Sequence, residues 1–145
     1  MIQMKREHPY DVFISYSHEE ADRTWIRDRL VPALEMNHLR VLIDYQHFRL
    51  GQPIINEIER AIDQGRYTLA ILSPSYLRST FAQLESVLAE HLGVEEGRRR
   101  LIAILRRPCQ PRLNIRSRLW LDMTRDDEFA THLQRLVEEL RQPLA

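Results

Sequence analysis

The sequence predicts an α/β protein: a five-stranded parallel sheet in the flavodoxin-like order 2-1-3-4-5, with helices on both faces. Three observations carry that prediction. Short, near-continuous apolar segments alternate with amphipathic stretches along the chain. Apolar runs of that kind belong to strands covered on both faces, as in a parallel sheet. At 145 residues and 43% hydrophobic content, the chain has the length for one domain with a core.

The elements follow in order. YDVFISY (residues 10–16) is β-branched and aromatic and ends in the polar SHEEAD, so it reads as a buried strand and a loop. Asp22 is placed as N-cap of a helix whose stripe is Ile26, Leu30 and Leu34, widened by Trp25 and Val31. LRVLIDY (39–45) is the second strand, and QHFRLGQP is a loop leading to Pro53, which suits a first helical turn. Ile54, Ile58, Ala61 and Ile62 make the next helix amphipathic, with Gly65 as its stop.

YTLAILS (67–73) is the third strand, and Pro74 ends it. Thr80 and Gln83 match a capping box that opens the third helix. The run EEGRRR (95–100) reads as a solvated turn, residues 101–105 as the fourth strand, and residues around 119–121 as a short fifth. The last helix, about 128–141, carries Phe129, Leu133, Leu136, Val137 and Leu140 on one face, and Pro143 stops it.

Lys plus Arg equals Asp plus Glu, so the formal net charge is zero. A general nucleic-acid or membrane binder needs a positive surplus on some face, so neither partner is expected. A neutral chain also repels its own copies little, which permits self-association. The single cysteine, Cys109, builds no internal disulfide, and no metal-ligand spacing occurs, so no metal and no bound cofactor are expected. The start lacks the apolar segment of a signal peptide, and apolar runs are far shorter than a membrane span, so a cytoplasmic protein is expected.

One carboxylate stands out. In STFAQLESVLAEHLG, Phe81, Leu84, Leu88 and Leu92 repeat at helical spacing, and at ~100° per residue Glu85 falls inside that stripe. It either reaches solvent at the edge of the stripe, forms a buried ion pair, or lines a cleft. In this architecture ligands bind beyond the C-terminal strand ends, where the first and third strands part. The segments Tyr16-Ser17-His18-Glu19, 45–51, and Ser73 to Glu85 converge there. The loop after the first strand has no glycine, so GxGxxG and P-loop sites are absent. Ser15 and Ser17 sit in no G-x-S-x-G elbow.

The segments YDVFISYSHEE, LIDYQHFRLGQPIINEIERAID, YTLAILSPSYLRSTFAQLE and LWLDMT together resemble the Toll/interleukin-receptor (TIR) domain, in order and spacing, over roughly residues 9–142. The resemblance implies one TIR domain in residues 1–145, a piece of a larger multidomain protein, of the prokaryotic, NAD-cleaving branch. Members of that branch cleave NAD⁺ at the nicotinamide–ribose bond and act in immune signalling, including antiphage defence. They use a glutamate four residues beyond an aromatic. Glu85 matches the glutamate, and Phe81 stands where the family has tryptophan. By the same resemblance Tyr16, Ser17, His18, Asp44 and Arg49 contact the substrate, and NAD⁺ is substrate, not cofactor. Phe48, Leu50, Gly51 and Gln52 fall in the loop that family members use in TIR–TIR assembly. Many members are adaptors that signal through such contacts without catalysis, and that is the alternative function. A small flavodoxin-like nucleotide binder is a third, weakened by the glycine-free loop.

The chemistry asks little of the protein. Nicotinamide in NAD⁺ is cationic and leaves as a neutral amine, so no acid is needed to protonate it, unlike an ordinary glycoside. One carboxylate beside the ribose suffices to stabilise an oxocarbenium-like transition state where water is excluded. Whether the product is ADP-ribose or a cyclic form is left open by the residues.

Overall fold

The computed structural model describes residues 8–111 and 120–144. Five parallel strands form one sheet in the order β2-β1-β3-β4-β5. They are β1 (Tyr10–Ser15), β2 (Val41–Leu42), β3 (Gly65–Leu72), β4 (Leu101–Leu105) and β5 (Leu121–Asp122). The topology and strand order are those the sequence predicts. β2 is shorter than expected, because the chain leaves the sheet after Leu42 and passes through Ile43 directly into α3 (Asp44–His47). Of the expected fifth strand, residue 119 lies outside the described residues.

Successive strand side chains point to opposite faces, and each face holds its own core. Val12, Ile14, Val41, Ile43, Leu69 and Ile71 pack on one side. They meet a helical run of α1 (Glu20–Trp25), a π-helical segment (Ile26–Leu30) and α2 (Val31–Met36), and also α8 (Phe129–Leu140). Phe13, Leu42, Ala70, Leu72 and Ala103 pack on the other, against α4 (Ile54–Gln64), α5 (Pro74–Ser79) and α6 (Phe81–Leu92). Each large side chain so buried stabilises the fold by about 1.5–3 kcal/mol relative to exposure.

Several local readings are corrected. Asp22 is not an N-cap: the helix begins at Glu20, and Asp22 is buried inside its first turn. The first helix also contains a wide π turn, in which the Val31 amide donates to the Ile26 carbonyl. Pro32, which follows, has no amide and would clash with a carbonyl four residues back in a regular helix, so the ladder widens there. Between the end of β3 and residue 80, where the sequence reading places no element, the chain forms α5, N-capped by Ser73, whose hydroxyl accepts from the Tyr76 amide at 3.2 Å. The Thr80–Gln83 capping box does not form, since the Thr80 hydroxyl pairs with Ser79 Oγ at 3.1 Å.

EEGRRR is no turn but the body of α7 (Val94–Arg100). Its final residue, Arg100, is buried and donates to the carbonyls of Ile62 (2.8 Å), Gly65 (2.6 Å) and Arg66 (3.0 Å). That guanidinium satisfies carbonyls left open at the end of α4, where positive charge is also favoured by the helix dipole. α4 does end at Gly65, as the sequence predicts, with the glycine in extended backbone at φ −88°. The residue is small because β3 crosses tightly there: a Cβ would meet the Phe13 amide nitrogen at 3.0 Å and Phe13 Cβ at 3.1 Å.

Candidate functional site

The sheet order parts at β1 and β3, and the expected cavity opens beyond their C-terminal ends. It encloses about 330 Å³ and is walled by Ser15 and Tyr16 at the end of β1, Asp44 and Phe48 after β2, and Thr80 and Gln83 at the start of α6. A space of that size suits a small-molecule ligand.

Asp44 is its electrostatic centre. Tyr16 Oη donates to Asp44 Oδ1 at 2.8 Å, the Tyr45 amide donates to the same oxygen at 2.8 Å, and His18 Nε2 lies 2.5 Å from Oδ2. Burial alone pushes the Asp44 carboxyl upward, but the hydrogen bonds from His18 and Tyr16 outweigh it and hold the group below the usual carboxylate range. The hydrogen bond to Asp44 in turn raises the His18 imidazole above its ordinary value, against the downward push of burial. Burial, and then the Asp44 bond, hold the Tyr16 phenol well above its ordinary value, so it stays a proton donor. The three form a fixed carboxylate flanked by two donors, an arrangement that can accept hydrogen bonds from sugar hydroxyls.

Not every predicted residue joins this cavity. Ser17 is 2% exposed, with its Oγ 2.7 Å from Ser75 Oγ and accepting from the Glu19 amide at 3.1 Å. It holds the turn after β1. Phe81 is 2% exposed and packs on Tyr76 with ring centroids 5.6 Å apart. It is a core residue and not part of the cavity wall. The reason is helical geometry. Thr80 and Gln83 occupy the flank of α6 that faces the cavity, and at 100° per residue Glu85 lies about 160° round from Gln83, on the opposite flank.

Glu85 is half-buried, with Oε1 withdrawn from water. Its charge acts on buried Tyr76, whose phenol is raised first by burial and further by Glu85. The Tyr76 hydroxyl donates to Ser15 Oγ at 2.8 Å, and Ser15 is on the cavity wall. Glu85 therefore approaches the cavity from behind Tyr76.

The 48–52 loop is held from beneath. Glu57, 1% exposed, accepts from the Arg49 amide at 2.7 Å, from Arg49 Nη2 at 2.8 Å and from Arg60 Nη2 at 2.9 Å. Arg60 Nη2 also donates to the His47 carbonyl at 2.7 Å. The Arg49 hydrogen bonds bring the Glu57 carboxyl down to about 2. At the loop tip Leu50 is 98% exposed, and Gly51 takes φ +78°, a left-handed conformation that favours glycine. Gln52 is exposed beside it.

One cluster escaped the sequence reading. Buried Asp22 accepts from Ser73 Oγ at 2.6 Å and from Arg107 Nε at 3.1 Å, and Arg107 also pairs with Glu19 at 3.3 Å. It joins the ends of β3 and β4 to α1. The signal was an acidic residue one turn into an amphipathic helix, which reads equally as a cap. Among the described residues, no group of His, Cys, Asp and Glu is placed to hold a metal, and no helix is long and apolar enough to cross a membrane.

Five parallel strands in this order, with a cavity at the β1/β3 ends and a held, exposed loop after β2, define a flavodoxin-like α/β domain. A sequence model of the TIR domain matches residues 12–137, and the chain belongs to that family. It is 31% identical over 106 residues to human Toll-like receptor 6, which covers 73% of this chain and 13% of that protein. It is 33% identical over 104 residues to Protein toll of Drosophila melanogaster, covering 70% of this chain and 9% of that one. The chain thus spans a small fraction of these curated relatives. Among solved structures, the TIR domain of the Toll-related receptor TRR-2 from Hydra magnipapillata matches with TM-score 0.77 and 24% identity, covering 92% of this chain and 99% of that one. A TIR-STING receptor from C. gigas matches with TM-score 0.71 and 15% identity over 100% of this chain and 45% of that one. These two show the shared fold.

Proposed function

We propose that this domain signals in the cytoplasm by assembling with other TIR domains through the 48–52 loop. Leu50 carries the reading: a large apolar side chain, 98% exposed, on a loop already fixed by Glu57, Arg49 and Arg60. Moving such a side chain from water into a partner surface contributes about 1.5–3 kcal/mol. The anchored loop has less ordering entropy left to lose on binding. Ile54 and Ile55, 53% and 37% exposed, extend the apolar surface from the start of α4. The test is an amide NMR dilution series. Signals of residues 48–55 should shift and broaden with concentration; changes confined to another face would refute the assignment.

A second reading is favoured by Glu85. In it the assembled domain cleaves NAD⁺ at the nicotinamide–ribose bond, giving nicotinamide with ADP-ribose or a cyclic product, as the effector of an immune or signalling protein. What supports it is a carboxylate with one oxygen out of water, on the helix after β3, separated from the cavity by Tyr76. Glu85 would stabilise the positive charge that develops on the ribose. That role requires the α5–α6 junction to shift, since Glu85 and Phe81 lie outside the cavity wall. Assembly through the neighbouring loop supplies an occasion for the shift. Nicotinamide release, measured on crowded wild-type protein and on Glu85→Ala, tests it: equal release by both excludes Glu85 as the catalytic group.

A further inference from the structure

A second cavity, of about 310 Å³, lies outside the first, between α1 and the 48–52 loop. The two share Tyr16, His18, Asp44 and Phe48 as a common wall, so one extended ligand can occupy both. The outer cavity differs in charge. Arg23, Arg27 and Arg49 line it, and Asp44 is the sole carboxylate in its wall.

The arginines differ in what holds them. Arg49 is engaged by Glu57, as Arg107 is by Asp22 nearby. Arg23 and Arg27 have no carboxylate partner among the described residues; Arg27 instead lies over the Tyr45 ring, 4.6 Å from its centroid. Two guanidinium groups four residues apart on one helix, neither paired with a carboxylate among the described residues, repel each other, and an anion between them would relieve that repulsion. Asp44 does not supply the anion: it forms no ion pair with either arginine, and Tyr16, His18 and the Tyr45 amide take three of its roughly four acceptor positions, leaving one on Oδ2 that suits a hydroxyl. The flat, forked guanidinium is the side chain best shaped to grip phosphate oxygens in pairs.

We propose that this outer cavity is a diphosphate site, in which Arg23 and Arg27 hold the phosphates of a dinucleotide whose adjoining ribose reaches Asp44 in the inner cavity. The assignment deepens the NAD⁺ reading and rests on it for the ligand's identity, but not for the phosphate chemistry. Asp44, an acceptor at the junction, suits ribose hydroxyls, and the half-buried Phe48 ring offers a face to the same ligand. Because Leu50 and Arg49 form the outer rim, the assembly loop and the diphosphate site are neighbours, and occupancy of one bears on the other.

The test is calorimetric titration of the full chain with ADP-ribose, inorganic pyrophosphate and adenosine. ADP-ribose lacks the bond that cleavage would break, so binding is read apart from turnover. The variants are Arg23→Ala, Arg27→Ala and the double change, all at exposed positions, with Arg141→Ala as an exposed control beside Asn37, at the opposite end of the sheet. ADP-ribose and pyrophosphate should bind wild type and Arg141→Ala alike. Each single change should weaken them roughly tenfold, the double change more, with affinity falling as salt rises. Binding of ADP-ribose without pyrophosphate, at unchanged affinity in the double variant, would place recognition on the nucleoside and overturn the proposal. Absence of binding by both at millimolar concentration would overturn it too. Continued nicotinamide release by Glu85→Ala would remove that glutamate's catalytic role and leave this site standing.

Discussion

Removing the Asp22 carboxylate should destabilise the fold more than any surface change near the strand ends. Asp22→Ala deletes the acceptor for Ser73 Oγ and the partner of Arg107 Nε, 2.6 and 3.1 Å away, from a side chain that is 2% exposed. Breaking a fully buried ion pair costs about 3–5 kcal/mol. The Arg107 side chain is 35% exposed, so water takes over part of its charge. The expected loss is therefore about 2–3 kcal/mol, the Ser73 hydrogen bond supplying roughly 1 kcal/mol of it. For a chain of this length that is a fall in Tm of about 4–12 °C. Asp22→Asn should lose less, about 1–2 kcal/mol, because its carbonyl still accepts one bond while its amide meets a guanidinium. Urea unfolding followed by far-UV circular dichroism reads both. A loss below about 0.5 kcal/mol for Asp22→Ala, the range of ordinary surface changes, would refute the view that this carboxylate ties α1 to β3 and β4.

Gly65→Ala should cost about 1–3 kcal/mol in the same assay through overpacking against Phe13, since its backbone angle is unstrained; wild-type stability in that variant would show that β1 and β3 can part freely. The His18–Asp44 pair sets a pH window. His18 is raised by Asp44 from its ordinary 6.5, so its contribution is complete below that value and is lost as pH rises through the folded value. Asp44 is lowered from 3.8, so its contribution is present above that value and is lost as pH falls through the folded one. The pair is strongest between these limits. NMR titration of the His18 ring should give a lower pKa in Asp44→Asn than in wild type, and equal values would discard the coupling. On the NAD⁺ reading proposed above, Glu85→Ala should abolish nicotinamide release by crowded protein while leaving the far-UV spectrum unchanged, and equal release by both proteins would discard that reading's catalytic group.

The strand order was legible because five apolar runs lie between amphipathic segments, and a buried parallel sheet has few other ways to arrange them. Ile58, Ala61 and Ile62 stand out at helical spacing for the same reason. What escaped depends on contacts distant in sequence. Arg100 ends a run that looks solvated, yet its guanidinium serves the carbonyls at the end of α4. Asp22 satisfies a capping rule locally, while its partners are Ser73 and Arg107. At the cavity, Tyr16, His18 and Asp44 were legible as ends of adjacent strands. Phe81 and Glu85 were legible as a pair on one helix face, but which flank of that face meets the cavity depends on the rotation of α6. Spacing fixes relative angles along a helix and leaves its rotation to packing against Tyr76 and α4. Arg23 and Arg27 gave no signal, because paired and unpaired arginines look the same in a sequence.

The central claim, assembly through the loop after β2, is tested most directly by sedimentation velocity on wild type and Leu50→Asp over a wide concentration range. Leu50 is 98% exposed and Gly51 beside it is unchanged, so the variant's urea midpoint should match wild type. The account predicts a concentration-dependent rise in sedimentation coefficient for wild type and a monomer throughout for Leu50→Asp. A wild-type chain that stays monomeric at every concentration, or a variant that assembles as well as wild type, would contradict it.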